Sequence, residues 1–184
     1  PSTIIEGRDG FLHGYSDGAD ASRVLEGLGE VFYITRTSIK PHSCCRYKQG
    51  PIDCILELRH THGIKPQDVK RVTIGILKAG FNIVAAPQEA KLNPKNVVDA
   101  QFSMPFGAAI ALAYGHASLE DYTEANWTRP EIRGLMSKVR CVQDASLETN
   151  FPRRWPAWVE IETGDGRKLS TRLEFPKGDP ENPL

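Results

Sequence analysis

Two periods of apolar and polar residues run along this 184-residue chain, and they nominate its elements. Alternation with period two is clearest over residues 68–77, where Val69, Val72, Ile74 and Ile76 predict a strand. Residues 158–162 and 168–175 also alternate. They flank Gly164-Asp165-Gly166, which predicts a β-hairpin. Residues 31–38, rich in aromatic and β-branched side chains, read as a further strand, and residues 140–144 as a short one. Helical spacing appears at Ile52, Ile55, Leu56 and Leu58, predicting a helix over residues 51–62 that opens on Pro51 and stops at Gly63. Val24, Leu25 and Leu28 predict a short helix capped by Asp17 or Asp20 and closed by Gly29.

Residues 96–114 hold an alanine-rich run broken by Pro105, so the main helix is placed after that proline, ending at Gly115. Residues 118–121 predict a helical turn. Thr128-Arg129-Pro130-Glu131 predicts a capping box starting a helix that reaches about Val139. Residues 1–15 read as irregular, residues 78–94 as a long loop, and the tail from Pro176 as extended and turn-rich. Mixed elements with a late hairpin predict an α+β fold, helices packed on a mostly antiparallel sheet in a single domain.

Composition narrows the function classes. Lys plus Arg number 23 and Asp plus Glu number 23, so no overall field draws the chain to nucleic acid. No apolar run reaches the ~18 residues that span a bilayer, so no membrane partner is expected. No signal peptide is visible, and the chain opens at Pro1 rather than Met, as expected of a fragment or processed form. Cys44, Cys45, Cys54 and Cys141 include no CxxC pair, and His60 and His62 diverge on a helix, so no metal site is expected. Free thiols fit a cytoplasmic protein.

The densest chemistry lies in residues 39–54, Ile-Lys-Pro-His-Ser-Cys-Cys-Arg-Tyr-Lys-Gln-Gly-Pro-Ile-Asp-Cys. Lys40, His42, Arg46 and Lys48 fall within nine residues, with no acid until Asp53. Read as a loop delivering cations to a helix start, the stretch suits a carboxylate or phosphate: helix starts favour anions, Arg clamps a carboxylate with two bonds, and Lys adds a point charge. Lys40 is a candidate acid or base if it is partly buried. The plainer reading is solvated loop charge, and for the cysteine pair buried inert thiols.

Several motifs in order resemble the second, smaller domain of the MmgE/PrpD family. They are Glu6-Gly7-Arg8-Asp9-Gly10-Phe11, the Lys40-Pro41 to Asp53 stretch, Gln101-Phe102-Ser103-Met104-Pro105-Phe106, and the Gly178-Asp179-Pro180-Glu181-Asn182-Pro183 tail. Members of that family include 2-methylcitrate dehydratase of propionate metabolism, cis-aconitate decarboxylase and iminodisuccinate epimerase. The resemblance implies that residues 1–184 are a lid domain. A large helical domain, absent from this chain, would carry most acid–base residues and face the lid across a cleft. It implies a lyase or isomerase acting on small polycarboxylates without metal or organic cofactor, with Lys40 catalytic. Arg46, His42, Gln49 and Ser103 are the expected substrate contacts, although Ser103 equally suits packing at the Pro105 break. Gln49 stands where the family often has His, and His42 where an aromatic commonly follows Lys-Pro. Gln49 cannot carry a proton there, whereas histidine is a side chain that can, so His42 is a candidate to substitute in part. Expected partners are the polycarboxylate, the helical domain and a second copy in a homodimer.

Two other function classes remain. The chain is alternatively a non-catalytic dimerisation or docking module, using residues 108–113 and Trp155-Pro156-Ala157-Trp158 as an interface, against a reading of both as core. A thiol or metal protein built on Cys44 and Cys45 is the third, disfavoured by ligand spacing.

Overall fold

The computed structural model describes residues 3–184, so the start of the irregular stretch expected at residues 1–15 lies outside the described residues. The chain divides into two compact units, Pro1–Thr37 and Ser38–Leu184. In the first, α1 (Phe11–Tyr15) and two short 3-10 turns, Ala21–Leu25 and Tyr33–Arg36, bury no residue. Asp20 caps the first 3-10 turn by accepting the Ser22 N–H, as its position suggested. The expected helix to Leu28 is only that turn, and the expected strand over residues 31–38 does not form. A strand needs a neighbouring edge for its N–H and C=O groups, and the described residues of this unit form no strand that could offer one.

The second unit carries the sheet. It runs from α2 (Arg46–His62) through β1 (Val69–Ile76), α3 (Lys78–Val84), α4 (Gln88–Leu92), α5 (Val97–Gln101), α6 (Met104–Tyr114), α7 (Glu124–Trp127) and α8 (Pro130–Met136) to β2 (Val139–Gln143) and the hairpin β3 (Ala157–Thr163) and β4 (Lys168–Leu173). Strand order is β2-β1-β3-β4. β1 pairs parallel with β2, setting Val72 opposite Val139, and antiparallel with β3, setting Ile74 opposite Val159. β3 and β4 are antiparallel. The fold of this unit is α+β with a mostly antiparallel sheet, as expected. Gly166, at φ +90°, makes the hairpin turn.

Three expectations change. α2 begins at Arg46, five residues before Pro51, so Arg46, Lys48 and Gln49 are helical rather than loop. Pro51 lies inside the helix, where its ring nitrogen cannot donate to the Tyr47 carbonyl. The neighbouring Gly50 makes room for close packing: a Cβ there would stand 3.1 Å from Leu173 Cδ1 and 3.3 Å from Ala157 Cβ. Residues 78–94 contain two short helices, α3 and α4, rather than a loop. The capping box at Thr128 is not made: Arg129 is the N-cap of α8, Pro130 its first residue, and Thr128 Oγ1 donates to the Glu124 carbonyl instead.

α6 is buried over Met104 to Leu112, so the alanine run expected as core or interface is core. Small residues let it approach α2 closely. The Trp155-Pro156-Ala157-Trp158 segment is likewise turned inward. Pro156 and Ala157 are buried, Trp155 packs on Tyr47 at 4.9 Å between ring centroids, and Trp158 Nε1 donates to Asp144. Neither segment is available as the docking surface of the interaction-module reading. Among the described residues no helix is long and apolar enough to cross a membrane.

Candidate functional site

Residues 39–45 form a loop held at nearly every peptide. Ile39 N–H donates to the Gly178 carbonyl at 2.9 Å. Gly178 has φ +90°, and a Cβ there would run into the Ile39 carbonyl, so the tail glycine is required by this close approach. Ser43 N–H donates to Ala117 O at 3.3 Å and Cys45 N–H to Gln101 O at 3.2 Å. From below, the buried Gln49 amide accepts the His42 N–H at 3.1 Å and donates to the carbonyls of His42 and Cys44 at 2.9 and 3.2 Å. His42 Nε2 lies 2.8 Å from Asp53 Oδ1, and Asp53 Oδ2 accepts the Lys177 N–H.

This loop borders a hollow of about 350 Å³ lined by Lys40, His42, Ser43, Cys44, Cys45, Gln101, Phe102 and Leu119. That size lies in the range of small-molecule sites. Lys40 is exposed at its border. Its Nζ has one protein contact, the Cys44 carbonyl at 3.5 Å, and among the described residues no carboxylate lies within ion-pair distance. A cation so placed, on a braced loop, is available to an anion. Two larger hollows lie elsewhere in this unit. In the one of about 980 Å³, Lys91 and Lys95 share the lining with Glu89 and Asp99. In the one of about 560 Å³, Arg129 and Lys138 already donate to Tyr114 Oη and the Val69 carbonyl.

The expected site residues therefore separate. Lys40 and His42 share the hollow, and the His42 ring is engaged by Asp53. Arg46 does not line it. Its Nη2 reaches both oxygens of Asp179 at 2.6 and 2.7 Å, and its guanidinium lies 4.9 Å over the Trp155 ring. The carboxylate that Arg46 clamps belongs to the chain itself, so the expected substrate contact gives way to an internal ion pair. Gln49 has both amide atoms occupied by backbone and is fully buried, so it shapes the loop rather than facing a ligand. Ser103 is also fully buried. Its Oγ donates to the Lys91 carbonyl and accepts the Phe106 N–H, which makes it the cap of α6.

Sequence reasoning grouped Lys48 with the loop cations and missed its place. Lys48 is completely buried, and its Nζ donates to the Ala100 carbonyl at 3.0 Å. Burial pulls its pKa from 10.5 down to about 8, partly offset by Cys44 and Cys45. Burial also pushes the Cys44 and Tyr122 pKa values up. All four cysteines are free. Helical spacing offered one hint: Lys48 lies four residues before Ile52, on the buried face.

The model of the MmgE/PrpD C-terminal domain matches residues 42–184. Cis-aconitate decarboxylase of Aspergillus terreus is 24% identical over 166 residues, which is 84% of this chain and 33% of that protein. The chain thus spans about one third of the length of the curated relative it matches. With a family match over most of its length, the chain belongs to the MmgE/PrpD family, as its C-terminal domain.

Proposed function

We propose that this chain is the lid of a lyase or isomerase acting on small polycarboxylates of the 2-methylcitrate and cis-aconitate kind. The observation that carries this reading is Lys40, an ammonium without a carboxylate partner among the described residues, bordering a hollow on a loop fixed by Gln49, Asp53 and Gly178. Removing a proton beside a carboxylate, or losing carbon dioxide from one, builds negative charge. A preorganised cation stabilises that charge without reorganising. Lys40 supplies this group or exchanges a proton with substrate, while the helical domain of the family supplies the remaining acid–base groups. Gln49 and the Arg46–Asp179 pair act indirectly, by holding the loop on which Lys40 stands. The relative's decarboxylase activity supports a lyase, and its name supplies cis-aconitate as the first substrate to try.

The test is turnover of 2-methylcitrate and cis-aconitate by this chain, alone and with the helical domain of its family. Turnover is expected only with both parts present, and Lys40→Ala is expected to lower kcat at least about a hundredfold with an unchanged thermal melt. Full activity of Lys40→Ala, or turnover by the lid alone, overturns the assignment.

A further inference from the structure

A second lysine lies beneath the floor of the Lys40 hollow. Lys48 is the third residue of α2, wholly buried, with Nζ 3.0 Å from the Ala100 carbonyl and 5.1 Å from the centre of the Tyr122 ring. Among the described residues no carboxylate lies within ion-pair distance of it. The space for its stem comes from Gly107, where a Cβ would stand 2.6 Å from Lys48 Cε. A methionine would fill this volume without the cost of taking a charge out of water. Packing alone therefore gives no reason for a lysine.

Its neighbours supply one. Cys44 and Cys45 line the hollow, and the Cys45 carbonyl accepts the Lys48 N–H at 2.9 Å. Ala100, which takes its hydrogen bond, directly precedes Gln101. The Gln101 carbonyl takes the Cys45 N–H, and Gln101 lines the same hollow. The ammonium is thus separated from the hollow by a layer of the protein's own lining residues. Little screens a charge across such a layer.

We propose that Lys48 is the buried second cation of this hollow, a positioning residue that never touches the ligand but holds positive potential under its floor while protonated. The proposal rests on reading the hollow as a carboxylate site. The titratable and charged groups facing Lys48 are Cys44 and Cys45 from the preceding loop, Lys91 from α4 and Tyr122 beyond α6. Lys91 opposes its proton and the two cysteines favour it. Anion recognition in the hollow then weakens as pH rises through about 8, where Lys48 loses its charge.

Cys45, which is partly exposed in the hollow, is a built-in reporter. Its alkylation by iodoacetate, an anion, is compared with that by iodoacetamide, which is neutral, and followed by mass spectrometry of the Cys45 peptide. The thiolate fraction is the same for both reagents at a given pH, so their rate ratio reports local potential alone. Near neutral pH the ratio is expected to fall by about threefold or more in both Lys48→Met and Lys48→Gln. In the unsubstituted chain it falls as pH rises through about 8, a step absent from both variants. Lys48→Gln keeps a donor for the Ala100 carbonyl, so it separates charge from tether. A ratio and pH course unchanged in Lys48→Gln overturns the proposal. If neither variant folds, the unsubstituted chain still decides: a ratio flat across that pH range overturns it, and the step supports it. Lys40→Ala distinguishes the underlying reading, since it lowers the ratio but keeps the step. A Lys48 effect without a Lys40 effect sinks the Lys40 assignment and leaves this one standing.

Discussion

Val24, Leu25 and Leu28 repeat with helical spacing much as Ile52, Ile55 and Leu58 do, yet the first three are exposed and the second three are buried. The difference lies outside either stretch. α2 has surfaces to meet: Gly50 sits against Ala157 and Leu173 of the hairpin, and Gly107 of α6 admits the Lys48 stem. The stretch up to Thr37 has none among its own described residues, where Phe11, Leu25, Leu28, Phe32, Tyr33 and Ile34 are all more than half exposed. Periodicity nominates a face, and a complementary surface makes it a core. Each of the following substitutions presses on that contrast.

The largest loss is expected at Phe106, fully buried and edge-on to Tyr122 and Trp127 at 5.5 and 6.4 Å. Phe106→Ala should cost about 3–5 kcal/mol in denaturant unfolding, the usual range for a buried aromatic. Next comes Asp179, buried under Arg46. Asp179→Ala strands a guanidinium whose Nη1 already lacks a partner among the described residues, and should cost about 3 kcal/mol. It should also loosen the Lys40 loop through Gly178, seen as faster hydrogen exchange at Ile39. A loss under about 1 kcal/mol would return Arg46 to the list of ligand contacts.

That pair also marks where the sequence stops being legible. The alternation of β1 and the hairpin around Gly164-Asp165-Gly166 are written in residues a few positions apart, and local pattern finds them. Arg46 and Asp179 are 133 residues apart, and no spacing rule joins them. Gln49 and Ser103 are expected as ligand contacts only through the family resemblance, Ser103 equally as packing at the Pro105 break. Both are consumed by backbone groups that would otherwise be buried without partners. The α2 start was missed because proline in a helix interior is normally excluded. The strand over residues 31–38 was a matter of composition, and composition cannot supply a partner edge.

Lys48 gives a stabilising substitution. Below pH 8 it is protonated folded and unfolded alike, so the cost of burying its charge is constant. Between about 8 and its ordinary 10.5 the unfolded chain binds more protons, and this group's contribution to stability rises with pH. Lys48→Met should therefore stabilise the chain by about 2–3 kcal/mol at neutral pH, a gain that shrinks towards pH 10. The difference between the two proteins is the measurement. The buried thiols of Cys54 and Cys141, with raised pKa values and no coupling to Lys48, move stability the other way above about 9 and cancel in the difference. A destabilised Lys48→Met at neutral pH would mean that the Ala100 tether outweighs the buried charge.

The smallest effect is expected where the apolar side chains are exposed. Phe32→Ser and Leu25→Ser remove large side chains that are 62% and 69% exposed, so unfolding of the chain should change by less than about 0.5 kcal/mol. A loss near that of Phe106→Ala would show that these residues are buried in solution, and the contrast between the two stretches would collapse. If the small effect holds for this chain, the same substitutions can be repeated with the helical domain present. A cost of about 1–2 kcal/mol per side chain appearing only then would show that the segment acquires its core from the added domain, since burying an apolar side chain contributes about that much. The apolar spacing of residues 24–34 would then be a correct signal for a surface this chain does not carry.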